Sequence, residues 1–199
     1  MSEQRTRLAE LPLSQMTETQ RTIADRILAS GRSGLDGPFR IWLRSPEFAD
    51  RASHLGAFVR FGTTLPSRLS ELVILTVAAH WKAQFEWHAH APIAIKAGLD
   101  SAVIQAIQLQ AMPTFHNEDE KLVYLIALGL VQHGMVEDEL ADRALATFGE
   151  TTLVELVGIA GYYTLVAFTL NLFRVEIPGN GPTPFPTSPL AEGRRTTGA

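Results

Sequence analysis

Two residues that can exchange protons, Glu86 and His90, lie four positions apart in a mostly apolar stretch that runs from Glu71 to Gly98. In a helix, residues four apart project from the same face, so these two side chains can meet and share a proton. Histidine titrates near neutrality, and burial raises the pKa of a carboxyl group. The stretch therefore predicts an acid–base site in which either His90 or Glu86 is the acid.

Glu71 begins the same stretch and is the third candidate for the site. If the helices that carry Glu71 and His90 pack antiparallel, their side chains can meet. A structural role for Glu71 is an equally open interpretation, because it can support a helix end or pair with Arg68. Glu86 and His90 can likewise form a purely structural pair, buried at a subunit interface.

Small residues flank the acid–base pair on its helical face, namely Ala83, Ala94 and Ala97. In a protein core, small residues indicate either another backbone packed close by or an open volume for a ligand. His88 lies two positions before His90 and so points elsewhere on a helix. This spacing does not suit a metal pair, and we expect no metal site.

The composition excludes several classes of protein. The chain has 199 residues, of which 46% are hydrophobic, enough for one well-buried domain. It has no cysteine, which excludes disulfides, thiolate zinc sites and thiol redox chemistry. Its net charge is −4, and no long run of Lys or Arg is present, so we expect no nucleic-acid partner.

No segment at the start of the sequence has the apolar core of a signal peptide. Apolar runs elsewhere are interrupted by polar residues before they reach membrane-spanning length. We therefore expect a soluble, cytoplasmic protein that has no membrane partner.

The periodicity and capping residues, among them the capping-box pair Thr17 and Gln20 and the helix stop at Ser30-Gly31, predict an all-α fold. Residues 1–16 form an N-terminal arm, residues 17–177 a single helical domain, and residues 178–199 a Pro-rich tail that is either a wrapped arm or disordered. A turn-rich loop that buries aromatic residues is expected between the first two helices. The predicted helices cover residues 17–30, 46–62, 66–81, 85–97, 100–109, 117–133, 137–148 and 151–174.

Three of these helices carry residues that predict how the helix is buried or bent. In the second helix, Phe48, Ala52, Leu55 and Val59 predict the buried stripe. In the third, the run from Leu69 to Trp81 is apolar at nearly every position, which predicts burial on all sides. In the fourth, an internal proline predicts a kink or local distortion.

Three segments carry a resemblance to a known family. The patterns Leu65-Pro-x-Arg68-x-x-Glu71-Leu, Phe85-Glu86-Trp87-x-x-His90 and Gly98-Leu99 resemble the carboxymuconolactone decarboxylase family, which includes the alkylhydroperoxidase D-like proteins. The similarity runs from about Gly37 to about Pro178 and includes a Gly-Tyr-Tyr near its end. The resemblance implies an all-helical, alkylhydroperoxidase D-like fold that assembles through apolar helices into trimers or hexamers.

The peroxidase branch of that family carries a Cys-x-x-Cys-x-x-x-His motif. Here Ala83 and Glu86 occupy the two cysteine positions, and His90 occupies the histidine position. Without a thiolate to attack a peroxide, thiol peroxidase activity is excluded. The chain thus resembles the cysteine-less, non-redox branch, in which Glu71, Glu86 and His90 remain.

This resemblance implies a cofactor-free lyase, or a related isomerase, that acts on a small carboxylated, lactone or carbonyl compound. Loss of CO2 from an unsaturated lactone acid leaves an extended enolate, which an acid must protonate on carbon. A carboxylate substrate also needs a cation, for which Arg68, Lys82 and Arg44 are candidates. We expect Trp87 and Trp42 as aromatic walls of the site, although both are also typical core residues.

The alternative is a non-catalytic, oligomeric protein of the same fold that binds a small molecule or serves as a scaffold. A filled interior, without a cavity beside the three alanines, would favour it.

Overall fold

The computed structural model of the protein describes residues 6–30 and 34–186, apart from the side chain of Asn180. Within these residues eight α-helices form and no strand, which confirms the predicted all-α fold. Short 3-10 turns precede the first helix and follow the last. The helices are α1 (Glu18–Ala29), α2 (Phe39–Trp42), α3 (Pro46–Phe61), α4 (Ser67–His80), α5 (Gln84–Lys96), α6 (Ser101–Gln108), α7 (Glu118–His133) and α8 (Asp138–Phe173).

Helix α1 begins at the predicted capping box. The Thr17 backbone N–H donates to Oε1 of Gln20 at 2.9 Å, and the Gln20 N–H donates to Oγ1 of Thr17 at 3.3 Å. Two N–H groups that the helix itself leaves without partners are thereby satisfied. Ser30 caps the other end, as predicted, whereas the neighbouring Gly31 lies outside the described residues.

Helix α4 lies at the centre of the fold and packs against α5, α7 and α8. Every residue from Leu69 to Ala79 is buried, which confirms the predicted burial on all sides. Because this burial occurs within one chain, the run from Leu69 to Ala79 leaves no exposed face for the assembly that the resemblance implies.

Helix α5 follows α4 after a short turn, so that the two form an antiparallel hairpin. The turn passes through Lys82, which has a positive φ of 52°, and Ala83 then precedes the first residue of α5. The helix runs unbroken across Pro92, so the predicted distortion does not interrupt it. This hairpin carries all three predicted acid–base residues.

Helix α8 joins the last two predicted helices into one element with a break at Gly149. The φ and ψ angles of Gly149 are 76° and 169°, which a glycine adopts readily because it has no Cβ. The two predicted segments, 137–148 and 151–174, therefore correspond to the two sides of this break.

Helix α3 exposes part of the stripe that we predicted to be buried. Ala52 and Val59 are buried, but Phe48 and Leu55 are not, and Leu55 is 50% exposed. The prediction of Phe48 and Leu55 as core residues is wrong because α3 packs through small side chains, which let it approach its neighbours closely. The buried face of α3 consists of Ala49, Ala52, Ser53, Gly56 and Val59.

Helix α8 also carries an exposed apolar stripe, although much of its length packs in the core. Val154 is 71% exposed, and Val157, Phe168 and Leu172 are exposed on the same helix. Spacings of three, eleven and four residues place these side chains along one side of the helix. We call this set the α8 stripe. Helix α3 carries a second such set, which consists of Phe48, Leu55, Phe58 and Phe61, and the two sets together are the outer apolar stripes.

Among the described helices, α8 alone is long and apolar enough to cross a membrane, judged by length and composition. The expectation that every apolar run stops short of spanning length is therefore wrong for α8. Half of the most apolar stretch of α8 is buried inside the protein. The core helix of a soluble protein passes the same test, so this property is weak evidence for a membrane span.

Both ends of the described chain pack on the helical domain. The Arg7 N–H donates to the Phe173 carbonyl at 2.9 Å, and Met16 is buried. At the other end, Gln84 Nε2 donates to the carbonyl of Phe185 at 2.8 Å, and the Phe185 N–H donates back to Gln84 at 2.9 Å. Up to residue 186 the Pro-rich segment is thus a wrapped arm, and its predicted continuation over 187–199 lies outside the described residues.

Candidate functional site

The side chain of His90 on α5 meets that of Glu71 on α4. Nδ1 of His90 lies 2.8 Å from Oε2 of Glu71, and both residues are buried. The expected contact across the antiparallel hairpin is therefore present. Hydrogen bonding of one ring nitrogen to a carboxyl group fixes the orientation of the imidazole and selects its tautomer.

Glu86 does not form the predicted pair with His90. The hydrogen-bond partner of His90 is Glu71, and both Oε1 and Oε2 of Glu86 are buried without a hydrogen-bond partner among the described residues. The prediction of a Glu86–His90 pair is wrong because the helical spacing only places the two on one face, whereas Nδ1 turns towards α4. Glu86 is 1% exposed.

Burial raises the pKa of Glu86 well above its ordinary value, and the charge of Glu71 raises it further. Glu86 lies in the first turn of α5, where the helix dipole favours a negative charge by about 0.3–1 kcal/mol. Complete burial without a partner outweighs that effect, because it can shift a carboxyl pKa by several units. The site thus holds two carboxyl groups in different environments, one bound to a histidine and one without a partner.

Tyr163 on α8 completes the surroundings of His90. Its ring meets the imidazole edge-on, with 5.0 Å between the ring centroids, and it is buried. Burial raises the pKa of the Tyr163 hydroxyl further above that of an exposed tyrosine. Tyr163 was not among the predicted site residues, and the available signal was the Gly-Tyr-Tyr of the family resemblance.

The structure pairs Arg68 with carboxylates of α7. Its guanidinium donates to Oδ2 of Asp119 at 2.7 Å and also to Oε1 of Glu120. The alternative in which Glu71 pairs with Arg68 is therefore wrong. Because two carboxylates already neutralise Arg68, it is a poor choice for binding an anionic substrate.

The other predicted substrate-binding residues, Lys82, Trp87 and Trp42, lie in three different environments. Lys82 is exposed in the turn before α5. Trp87 is buried against Phe185 of the C-terminal arm, with 5.2 Å between the ring centroids. Trp42 is buried and donates from Nε1 to Oγ1 of Thr169 at 3.0 Å. The centroid of its ring lies 6.1 Å from that of Tyr162, the residue before Tyr163. Trp42 therefore packs next to the site rather than in it.

Arg44 donates to the Ala9 carbonyl of the N-terminal arm at 2.6 Å. This contact gives it a role in holding the arm.

Two surface pockets are described, and neither is lined by the acid–base residues. One, of about 240 Å³, lies between the N-terminal arm and α2, and the other, of about 380 Å³, lies between α5 and α6. Beside the acid–base residues, Ala83 and Ala94 are fully buried. Neither pocket therefore gives a ligand access to Glu86.

Part of the chain that carries these residues matches a known protein family. The model of the Carboxymuconolactone decarboxylase family matches residues 46–127, which begin at α3 and end within α7. A comparison with curated proteins gives no match. The matched segment contains Glu71, Glu86 and His90, whereas Tyr163 lies beyond it. Residues 46–127, which lack cysteine, are thus similar to the Carboxymuconolactone decarboxylase family.

Proposed function

We propose that the protein is a lyase that needs no cofactor and decarboxylates a small carboxylated substrate with a lactone or carbonyl group. In this proposal Glu86 is the acid, and Glu71 orients His90 beside it. The observation that carries the proposal is the environment of Glu86. This carboxyl group is buried, and neither oxygen has a hydrogen-bond partner among the described residues.

A purely structural role does not account for such a group. Leaving a buried polar group without a hydrogen bond costs about 1–3 kcal/mol, so structural carboxyl groups in cores are normally paired. A general acid, in contrast, benefits from burial, because a raised pKa keeps its proton available near neutral pH. The environment of Glu86 therefore fits an acid better than a structural residue.

The proposed reaction is balanced without a redox partner. The carbon–carbon bond to the substrate carboxylate breaks, CO2 leaves, and the electron pair is delocalised into the lactone or carbonyl group. Glu86 then transfers its proton to carbon and regains one from solvent. His90 in its protonated form, held at Nδ1 by Glu71, can donate a hydrogen bond from Nε2 to the carbonyl oxygen on which negative charge develops. An isomerase would use the same residues to move a proton between carbons.

The outer apolar stripes support a further part of the proposal, namely that the protein is a homo-oligomer, trimeric or hexameric as in the family resemblance. Exposed apolar surface of this kind is characteristic of protein–protein contacts. We favour a second copy over a membrane as the partner of α8, because half of the most apolar stretch of this helix already packs inside the chain. A cytoplasmic location follows from this choice as a proposal.

The alternative function is a non-catalytic binding or scaffold protein. One observation favours it, because both described pockets lie away from the acid–base residues. The two functions differ in what substitution of Glu86 does to turnover.

The test is CO2 release from a panel of small lactone acids and keto acids, with Glu86→Gln and His90→Ala compared with the original protein. We expect turnover of at least one compound and a loss of about 100-fold or more in both variants. Glu47→Gln is the matched control, since Glu47 is exposed on α3. Equal turnover in Glu86→Gln would contradict the proposal, and no turnover of any compound would favour the binding protein.

A further inference from the structure

His90 has two carboxyl groups near it and is hydrogen-bonded to one of them. Its Nδ1 lies 2.8 Å from Oε2 of Glu71 on α4. Glu86 lies one turn before His90 on α5, a spacing that places the two Cβ atoms about 5–6 Å apart. Both oxygens of Glu86 nevertheless lack a hydrogen-bond partner in the described part of the chain. Because a hydrogen bond from His90 would relieve the cost of burying Glu86, the preference for Glu71 needs a physical cause.

The ring of Tyr163 provides a contact that orients the imidazole. The two ring planes are inclined at 86°, and their centroids lie 5.0 Å apart. Aromatic pairs favour this edge-to-face geometry, which depends on the tilt of both rings. The hydrogen bond at Nδ1 fixes only one atom of the imidazole, whereas the ring contact fixes its plane. Together, the contacts with Glu71 and Tyr163 define one orientation of the His90 side chain.

Tyr163 is itself held in place by aromatic neighbours. Its ring meets that of Tyr162 edge-on, with 5.5 Å between the centroids, and Tyr162 meets Trp42 of α2 in the same way at 6.1 Å. Trp42 is fixed in turn, because its Nε1 donates to Oγ1 of Thr169 on α8 at 3.0 Å. All four side chains are buried. In a close-packed interior, the ring of Tyr163 cannot move away from His90 without displacing this set.

We propose that Tyr163 is a positioning residue, whose ring keeps the imidazole of His90 on Glu71 and thereby leaves Glu86 without a partner. This inference deepens the proposed function and rests on it, because Glu86 serves as the acid only while no histidine holds its carboxylate. A protonated histidine bonded to Glu86 would stabilise the charged form of the carboxyl group, so that its proton would be lost at lower pH. Tyr163 thus keeps the acid of the hairpin separate from its histidine–carboxylate pair.

The test is the titration of the Glu86 carboxyl carbon by NMR in the full chain, which needs no substrate. In Tyr163→Leu the imidazole of His90 should turn to Glu86 and lower the titration midpoint by about one pH unit or more, as a positively charged neighbour does. Tyr163→Phe keeps the ring and should titrate like the original protein. If Tyr163→Leu does not fold, Tyr163→Met gives the same test, because methionine fills irregular gaps in a core. Tyr124→Leu is the matched control, since Tyr124 is also buried but contacts the ring of Phe115 instead.

A double variant separates a turned histidine from water that enters the space left by Tyr163. Water would also lower the midpoint of Glu86, but an effect of the histidine disappears when Tyr163→Leu is made in His90→Ala and compared with His90→Ala alone.

The inference is overturned if Tyr163→Leu leaves the midpoint of Glu86 unchanged, if Tyr163→Phe or Tyr124→Leu lowers it equally, or if the fall persists without His90. None of these outcomes depends on turnover. If the midpoint falls as expected while the original protein turns over no compound, the positioning by Tyr163 stands and the decarboxylase is wrong.

Discussion

Nδ1 of His90 lies 2.8 Å from Oε2 of Glu71, whereas Glu86, one helical turn before His90, has no hydrogen-bond partner among the described residues. Two carboxyl groups of one helical hairpin thus have opposite environments. A carboxyl group bound to a histidine can orient it, and a buried carboxyl group without a partner holds its proton to higher pH.

The first prediction concerns how stability depends on pH. Because the folded-state pKa of Glu86 is raised above its ordinary value of 4.5, the folded protein holds this proton at pH values where the unfolded chain has lost it. Glu86 therefore lowers the free energy of unfolding as pH rises from about 4.5 towards its folded-state pKa, by at most about 1.4 kcal/mol per pH unit. Glu86→Gln lacks this contribution.

Urea unfolding at a series of pH values measures this effect. The stability of Glu86→Gln relative to the original protein should increase with pH across that window and then level off. Other titrating groups contribute to both proteins and largely cancel in the difference. A difference that stays flat with pH would show that Glu86 ionises alike in the folded and unfolded states.

The second prediction assigns Arg68 to stability. Arg68→Met removes the partner of Glu120, a nearly fully buried carboxylate of α7. Since Arg68 is partly exposed, solvent screens part of the loss, and we expect about 2 kcal/mol of destabilisation. Thermal and urea unfolding measure the change, with Arg51→Met as the exposed control.

The double variant with Arg68→Met and Glu120→Gln should recover part of this loss, because it no longer buries an unpaired charge. If Arg68→Met leaves stability unchanged but abolishes substrate binding, Arg68 is a substrate-binding residue, as the sequence first suggested.

The third prediction concerns assembly through the outer apolar stripes. Val157→Glu and Phe168→Glu place a charge on the α8 stripe and should shift the protein towards monomers at micromolar concentration in sedimentation velocity experiments. Leu109→Glu is the matched control, because Leu109 is 72% exposed but lies after α6, away from both stripes. A monomeric original protein at the same concentration would contradict the proposal of a trimer or hexamer.

The sequence predicted the helices well because their ends carry local signals. The capping box at Thr17 and the unbroken apolar run of α4 depend only on neighbouring residues, and both are present in the structure. The family resemblance and the helical face shared by Glu86 and His90 were also predictable from the sequence, because each depends on residues within one continuous stretch.

Contacts between helices were harder to predict. The partner of His90 depends on how α4 aligns against α5, and a spacing of four residues within α5 does not determine that alignment. Tyr163 comes from a helix distant in sequence, so no spacing pattern connects it to the hairpin. The exposed side of α3 was misjudged for a similar reason, because the spacing of large apolar residues does not determine which side of a helix packs against its neighbours.

The most direct measurement of the central claim is the titration of the Glu86 carboxyl carbon by NMR on protein labelled with ¹³C at glutamate carboxyl groups. The signal is assigned by its absence in Glu86→Gln. Because the charge of Glu71 raises the pKa of Glu86, Glu71→Gln should move the titration to lower pH. The account predicts a midpoint well above 4.5 in the original protein and a lower one in Glu71→Gln. A midpoint at or below 4.5, unaffected by Glu71→Gln, would contradict it.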